Sequence, residues 1–221
     1  MKKTFKILLI TLFVLLITAC KKEEFDNDEL EEAIDNGKQE EIDYSELKNL
    51  EYYEYLDESN PIVKIEVKDF GVMEVELFPN LVKTTVDNFL RYVEEDAFNN
   101  NSFHRIIEDF MIQGGAVENT YPPIIGEFSS NGVNNDLKHY KGVISMARTI
   151  IPNSATSQFF IVHKDSPHLN GSYASFGGLI SGFDVLDKIA EVKTNYNDAP
   201  LEEVVITKIT VNLRGYSRNE W

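Results

Sequence analysis

The chain is 221 residues long, 43% hydrophobic, and carries a formal net charge of −16. That length holds one domain of about 150–160 residues plus extensions, with the apolar share of an ordinary globular protein. The acidity argues against a nucleic acid partner, because a polyanion is repelled by a surface of its own sign.

Residues 1–20 read as an export segment rather than part of a fold. Lys2, Lys3 and Lys6 give a positive start, and Ile7 to Ile17 is almost wholly apolar. The run is short for a bilayer span and suits a signal peptide. Its ending, Ile17-Thr18-Ala19-Cys20, resembles a bacterial lipobox, in which the cysteine becomes the lipidated first residue. An ordinary cleaved signal and an uncleaved anchor are the alternatives. Cys20 is the only cysteine, so no intramolecular disulfide forms. Lipidation there implies stable anchoring on the extracytoplasmic face of the cell membrane.

Residues 21–60 hold sixteen Asp and Glu against four Lys, leaving −7 for the whole of 61–221. Such a composition predicts a solvated, self-repelling tether, largely disordered. In its second half Ile42, Leu47, Leu50 and Tyr53 fall at roughly helical spacing, so a short helix docked on the domain is the alternative.

The domain is expected over 61–221. Ile62 to Val67 and Val72 to Phe78 alternate apolar and polar residues around Asp69-Phe70-Gly71, which predicts a β-hairpin with one buried face. Val82, Val86, Phe89, Leu90 and Val93 change to a helical period over Val82–Glu95, with Asp87, Arg91, Glu94 and Glu95 on the wet side. Gly142 to Ala147, Gln158 to His163 and Ser175 to Leu179 read as strands. Phe183–Glu191 reads as a second helix, and Leu201 to Val211 as a closing strand. Many short strands with two helices predict an all-β barrel or sandwich, and the pattern alone does not separate the two.

One stretch resists this simple reading. Phe103 to Gly115, FHRIIEDFMIQGG, sets Arg105 beside Phe103, Ile106 and Ile107, an arrangement that costs free energy unless the cation has a partner or a use. The stretch resembles the signature of the cyclophilins, the peptidyl-prolyl cis–trans isomerases. Gly142-Val143-Ile144-Ser145-Met146-Ala147-Arg148 is similar to that family's strand beside the active site. Ser157-Gln158-Phe159-Phe160-Ile161, then His168-Leu169-Asn170-Gly171 followed by Phe176-Gly177, come in the family's order and near its spacing. The resemblance covers roughly 61–213. It implies a closed eight-stranded antiparallel barrel, each open end capped by one of the two helices.

It also implies a chemistry. An X–Pro bond turns over a barrier of about 18–20 kcal/mol set by amide resonance. No bond breaks, so the resemblance implies no cofactor and no metal. The four histidines, His104, His139, His163 and His168, show no paired metal-ligand spacing. The catalyst must favour the twisted amide, whose prolyl nitrogen regains a basic lone pair, over both planar forms. By position Arg105 matches the family's catalytic donor, and Gln113 the glutamine that orients it and bonds the substrate backbone. Phe110, Met111, Phe160 and Leu169 match the slot for the proline ring. Ala147 and Gln158 match the neighbouring peptide groove, and His104 is a signature residue without a proton-transfer role. Phe159, opposite Phe160 by strand alternation, is assigned to the core.

The sequence departs from the family at four places. Glu108-Asp109 replaces a Pro-Gly turn, which Asp tolerates. His168 stands where many eukaryotic members carry tryptophan, and Tyr173 takes the place of a histidine. Arg148 replaces an asparagine, leaving two readings: preference for acidic substrates, or a solvent-facing cation. The expected partners are proline-containing polypeptides and a membrane reached through the lipid, with the protein acting as a monomer. A proline-peptide-binding module without turnover is the rival reading.

Overall fold

The computed structural model describes residues 42–219. The signal segment with Cys20, and residues 21–41 of the expected tether, lie outside the described residues. In chain order the elements are β1 (Ile62–Val67), β2 (Gly71–Leu77), α1 (Lys83–Glu94), β3 (Asn101–Ser102), β4 (Arg105–Ile107) and β5 (Met111–Gly114). There follow β6 (Val143–Met146), β7 (Phe159–Val162), β8 (Ser175–Ser181), α2 (Phe183–Ala190) and β9 (Val205–Asn212).

The nine strands form one antiparallel sheet in the order β3-β9-β1-β2-β8-β6-β7-β5-β4. The expected hairpin is present, with Ile62 opposite Glu76 and Val67 opposite Gly71. The sheet curls around its core but is a half-barrel of nine strands, not the closed eight-stranded barrel expected. The difference lies at its two margins. Phe103 and His104 carry the chain directly from β3 to β4, and no ladder joins those two strands. The Phe103 N–H donates to the Val204 carbonyl, and the Ile106 N–H to the Asp198 carbonyl at 2.8 Å. The outer side of β4 is thus covered by the loop leading to β9 rather than by a strand.

Ile106, Ile112, Ile161 and Ile144 sit opposite one another across β4, β5, β7 and β6, and all four belong to the main core. Both helices bury their apolar faces there: Val86, Phe89, Leu90 and Val93 from α1, and Val185, Leu186 and Ile189 from α2. Phe159 meets Phe89 edge to face at 5.3 Å, a geometry that adds to simple area burial. Glu127, from a distant loop, accepts the Thr85 N–H at 2.7 Å and the Thr84 N–H at 3.3 Å. It satisfies donors at the start of α1 that have no partner within the helix.

Asp87 is not on the wet side as expected. It is 1% exposed and takes a salt bridge from Lys83 at 3.1 Å and hydrogen bonds from the Tyr216 hydroxyl and the Asn219 N–H. The C-terminal tail folds across that part of the helix, which the helix's own periodicity does not reveal.

The boundary expected at residue 61 also moves, since the compact unit begins at Tyr44. Residues 44–60 form a strap with two short 3-10 turns, Glu46–Asn49 and Tyr53–Tyr55, in place of a docked α-helix. Tyr52 is 1% exposed and donates to the Leu179 carbonyl at 2.7 Å. Tyr55 stacks on Phe78 at 5.7 Å and donates to Asp136. Glu76, buried on β2, accepts from the Tyr44 hydroxyl, the Asp57 N–H and the Asn60 amide at 2.7–2.9 Å. Burial raises the Glu76 pKa, and those three donors oppose the rise. Composition predicts a tether here because the acids outnumber the aromatics, yet one fully buried ring and the hydrogen bonds around it are enough to fix a short segment.

Candidate active site

Alternation places two kinds of residue on opposite faces of the sheet. Where the isoleucine row faces the core, the row beside it faces out: Arg105 opposite Gln113, Gln113 opposite Phe160, Phe160 opposite Ser145. Arg105 and Phe160 are two strands apart, so their backbones lie about 10 Å from each other with Gln113 between them. The next row on this face is Ile107, Met111 and Val162.

Phe110, Met111, Ala147, Phe160, Leu169 and Tyr173 belong to a second apolar cluster, separate from the main core. Phe159 goes to the main core and Phe160 to this cluster, as alternation requires. The turn before Phe110 forms with Asp109 at φ 60°, a left-handed conformation that Asp tolerates. It leaves Phe110 half-buried, its ring 5.3 Å from that of His168. Leu169 sits in a 3-10 turn, Pro167–Leu169, and is 7% exposed. The result is a contiguous apolar patch flanked by aromatic and imidazole rings.

Its polar side is built from Arg105, Gln113 and Gln158. The Gln113 amide donates to the Gln158 side-chain oxygen at 2.8 Å, and the Ala147 N–H donates to the Gln158 backbone carbonyl at 2.9 Å. Arg105 is oriented differently from expectation. Its Nε and Nη2 donate to Asp198 Oδ2 at 3.2 and 3.1 Å, so the carboxylate, not Gln113, holds the guanidinium. His104, half-buried, has its pKa lowered chiefly by burial, and its Nδ1 is buried with no hydrogen-bond partner among the described residues.

Arg148 is half-buried and bonded within the protein, not a simple solvent-facing cation. Its Nε and Nη2 donate to the Ser172 carbonyl at 2.9 and 2.7 Å, and its guanidinium lies 4.5 Å from the centre of the Tyr173 ring. The cation braces the loop that carries Tyr173.

His139 is a residue the sequence did not single out. It is 1% exposed and stacks on Phe160 with ring centres 6.0 Å apart. Its Nδ1 donates to Asn170 Oδ1 and its Nε2 accepts from the Ser145 hydroxyl, both at 3.1 Å, the pattern of a neutral ring. Burial lowers its pKa from 6.5 to about 4. Between those values the unfolded chain binds more protons, so stability is expected to fall as pH drops through that window. The loss approaches about 3 kcal/mol when complete. Melting of the full chain against pH, compared with His139→Gln, checks this: the difference between the two should shrink as pH falls from 6.5 to 4. A constant difference would remove His139 as the cause.

The family model described as "Cyclophilin type peptidyl-prolyl cis-trans isomerase/CLD" matches residues 62–211. The chain belongs to the cyclophilin family. It is an isomerase of the peptidyl-prolyl cis–trans class. Peptidyl-prolyl cis-trans isomerase B of Escherichia coli (strain K12) is 40% identical over 160 residues, covering 64% of this chain and 94% of that protein. CYP18-1 of Arabidopsis thaliana, also a peptidyl-prolyl cis-trans isomerase, is 36% identical over 148 residues, covering 65% and 92%. Among solved structures, a Cryptosporidium parvum cyclophilin-type isomerase superposes with a TM-score of 0.64 at 29% identity, covering 69% of this chain and 98% of that one. The same parasite protein has been solved in the presence of the dipeptide Ala-Pro.

Proposed function

We propose that this cyclophilin turns X–Pro bonds by donation from the Arg105 guanidinium to the prolyl nitrogen, while the ring lodges among Phe110, Met111, Phe160 and Leu169. Gln113 and Gln158 hold the substrate backbone beside Ala147, and His168 and Tyr173 line the rim. The observation that carries the reading is the single cross-strand row of Arg105, Gln113 and Phe160 beside the second apolar cluster. A guanidinium stays charged at any physiological pH and offers N–H groups in a fixed plane. It interacts more strongly with a nitrogen that has lost conjugation than with a planar amide, so it lowers the barrier rather than only binding. Turnover of a proline-containing peptide by the full chain and by Arg105→Ala tests the reading.

The place of action in this proposal is the extracytoplasmic face of the cell membrane, where a monomer held by lipid on Cys20 acts on exported or surface polypeptides. Its support is the Lys-rich start, the short apolar run and the sole cysteine at the end of Ile17-Thr18-Ala19-Cys20. Metabolic labelling with a fatty acid in a bacterial host should mark the wild-type chain and leave Cys20→Ala unlabelled. Label that survives the substitution would sink the anchor.

A further inference from the structure

Asp198 stands on a loop with its own framework. The Asn195 N–H donates to the Ala199 carbonyl and the Leu201 N–H to the Lys193 carbonyl, both at 2.8 Å. Asn195 Oδ1 accepts from the N–H groups of Asn197 and Ala199. Asp198 sits within this turn at φ 62°, a conformation that Asp and Asn adopt more readily than most residues. Its carbonyl accepts the Ile106 N–H at 2.8 Å, so the loop is fastened to the strand that carries Arg105. Its carboxylate takes Nε and Nη2 of the guanidinium, leaving Nη1 without a hydrogen bond among the described residues. Both side chains are 40% exposed, and an ion pair so open to water adds little to stability. What the pair fixes is direction: one edge of the planar fork is held, and the other keeps its N–H groups free to donate.

We propose that Asp198 is a positioning residue for catalysis, holding the Arg105 guanidinium in the orientation that meets the prolyl nitrogen. The proposal rests on the reading of Arg105 as donor. A pre-aimed donor loses no orientational freedom when the amide twists, so its effect belongs to the turnover step and not to substrate affinity.

The test uses the full chain and a proline peptide, with kcat and KM measured separately. Asp198→Gly keeps the left-handed turn and removes the carboxylate. It is expected to lower kcat about tenfold while KM moves less than about twofold. Asp198→Asn keeps both the turn and an oxygen acceptor, and is expected to stay within about threefold of wild-type kcat. In an Arg105→Ala background Asp198→Gly should add no further loss, because both changes remove the same interaction. Should Asp198→Gly fail to fold, Asp198→Ala, which likewise has no side-chain acceptor, carries the same expectations. Wild-type kcat in Asp198→Gly, a change confined to KM, or an equal loss without Arg105 overturns the proposal. Arg105→Ala as active as wild type overturns the donor reading and this proposal together. An inactive Arg105→Ala beside an unimpaired Asp198→Gly overturns this proposal alone.

Discussion

Replacing Arg105 by alanine is expected to lower kcat/KM on a proline peptide by about 10²–10³-fold, the cost of removing one preorganised donor, or about 2.7–4 kcal/mol. The apolar cluster is untouched by the change, so peptide affinity should move far less than turnover. Arg105→Lys is expected to recover little. An ammonium is a point charge on a flexible stem, and it cannot keep two N–H groups on Asp198 while presenting others to the substrate. A coupled or direct isomerisation assay with single-turnover controls decides the matter. Equal turnover by wild type and Arg105→Ala would remove the donor role. Wild-type chain that binds the peptide without accelerating its rotation would instead favour the groove as a simple binding module.

The second large effect is on stability, and it lies in the strap. Tyr52→Ala is expected to cost about 3–5 kcal/mol, since it empties a fully buried aromatic site. For a chain of this size that corresponds to a fall in Tm of about 6–20 °C. The site cannot relax easily around the void. A Cβ on Gly178 would lie 2.3 Å from the Tyr52 ring and one on Gly142 2.7 Å from its hydroxyl, so both backbones are already shaped to this side chain. Cutting the chain at the boundary expected from composition, residue 61, removes more than Tyr52. It also takes Tyr44, Asp57 and Asn60, leaving the Glu76 carboxylate without the three donors described above. A buried charge stripped of its hydrogen bonds is among the costly defects of a fold. Thermal melting or urea unfolding of the Tyr52→Ala chain measures the first effect. A Tm within about 2 °C of wild type would mean that the strap is dispensable.

Much of this molecule is readable from local pattern. Alternation separates Phe159 from Phe160, and the three-to-four spacing finds both helices nearly to their ends. The signature blocks bring Phe110, Met111, Phe160 and Leu169 into one apolar cluster. What the sequence hides is which distant segment covers a given face. Asp198 lies 93 residues from Arg105, in a polar loop whose residues carry no periodic signal. His139 sits in an irregular stretch, and its place in the site comes from contacts with Phe160, Tyr173 and Ser145 that local pattern does not show. Tyr52 is masked by the acids around it, and Asp87 by a helix face that only the C-terminal tail closes. In each case local composition describes the segment itself, while burial depends on a partner far along the chain. The missing ladder between β3 and β4 is of the same kind, because strand count does not reveal how the margins of a sheet meet.

That meeting of the margins also bears on how copies behave when crowded. The edges of the sheet run into one another through Phe103 and His104, and the outward N–H groups of Phe103 and Ile106 are already matched by Val204 and Asp198. Little bare backbone is left there for a stranger to zip onto. Fibre-like accretion at that rim is thereby disfavoured.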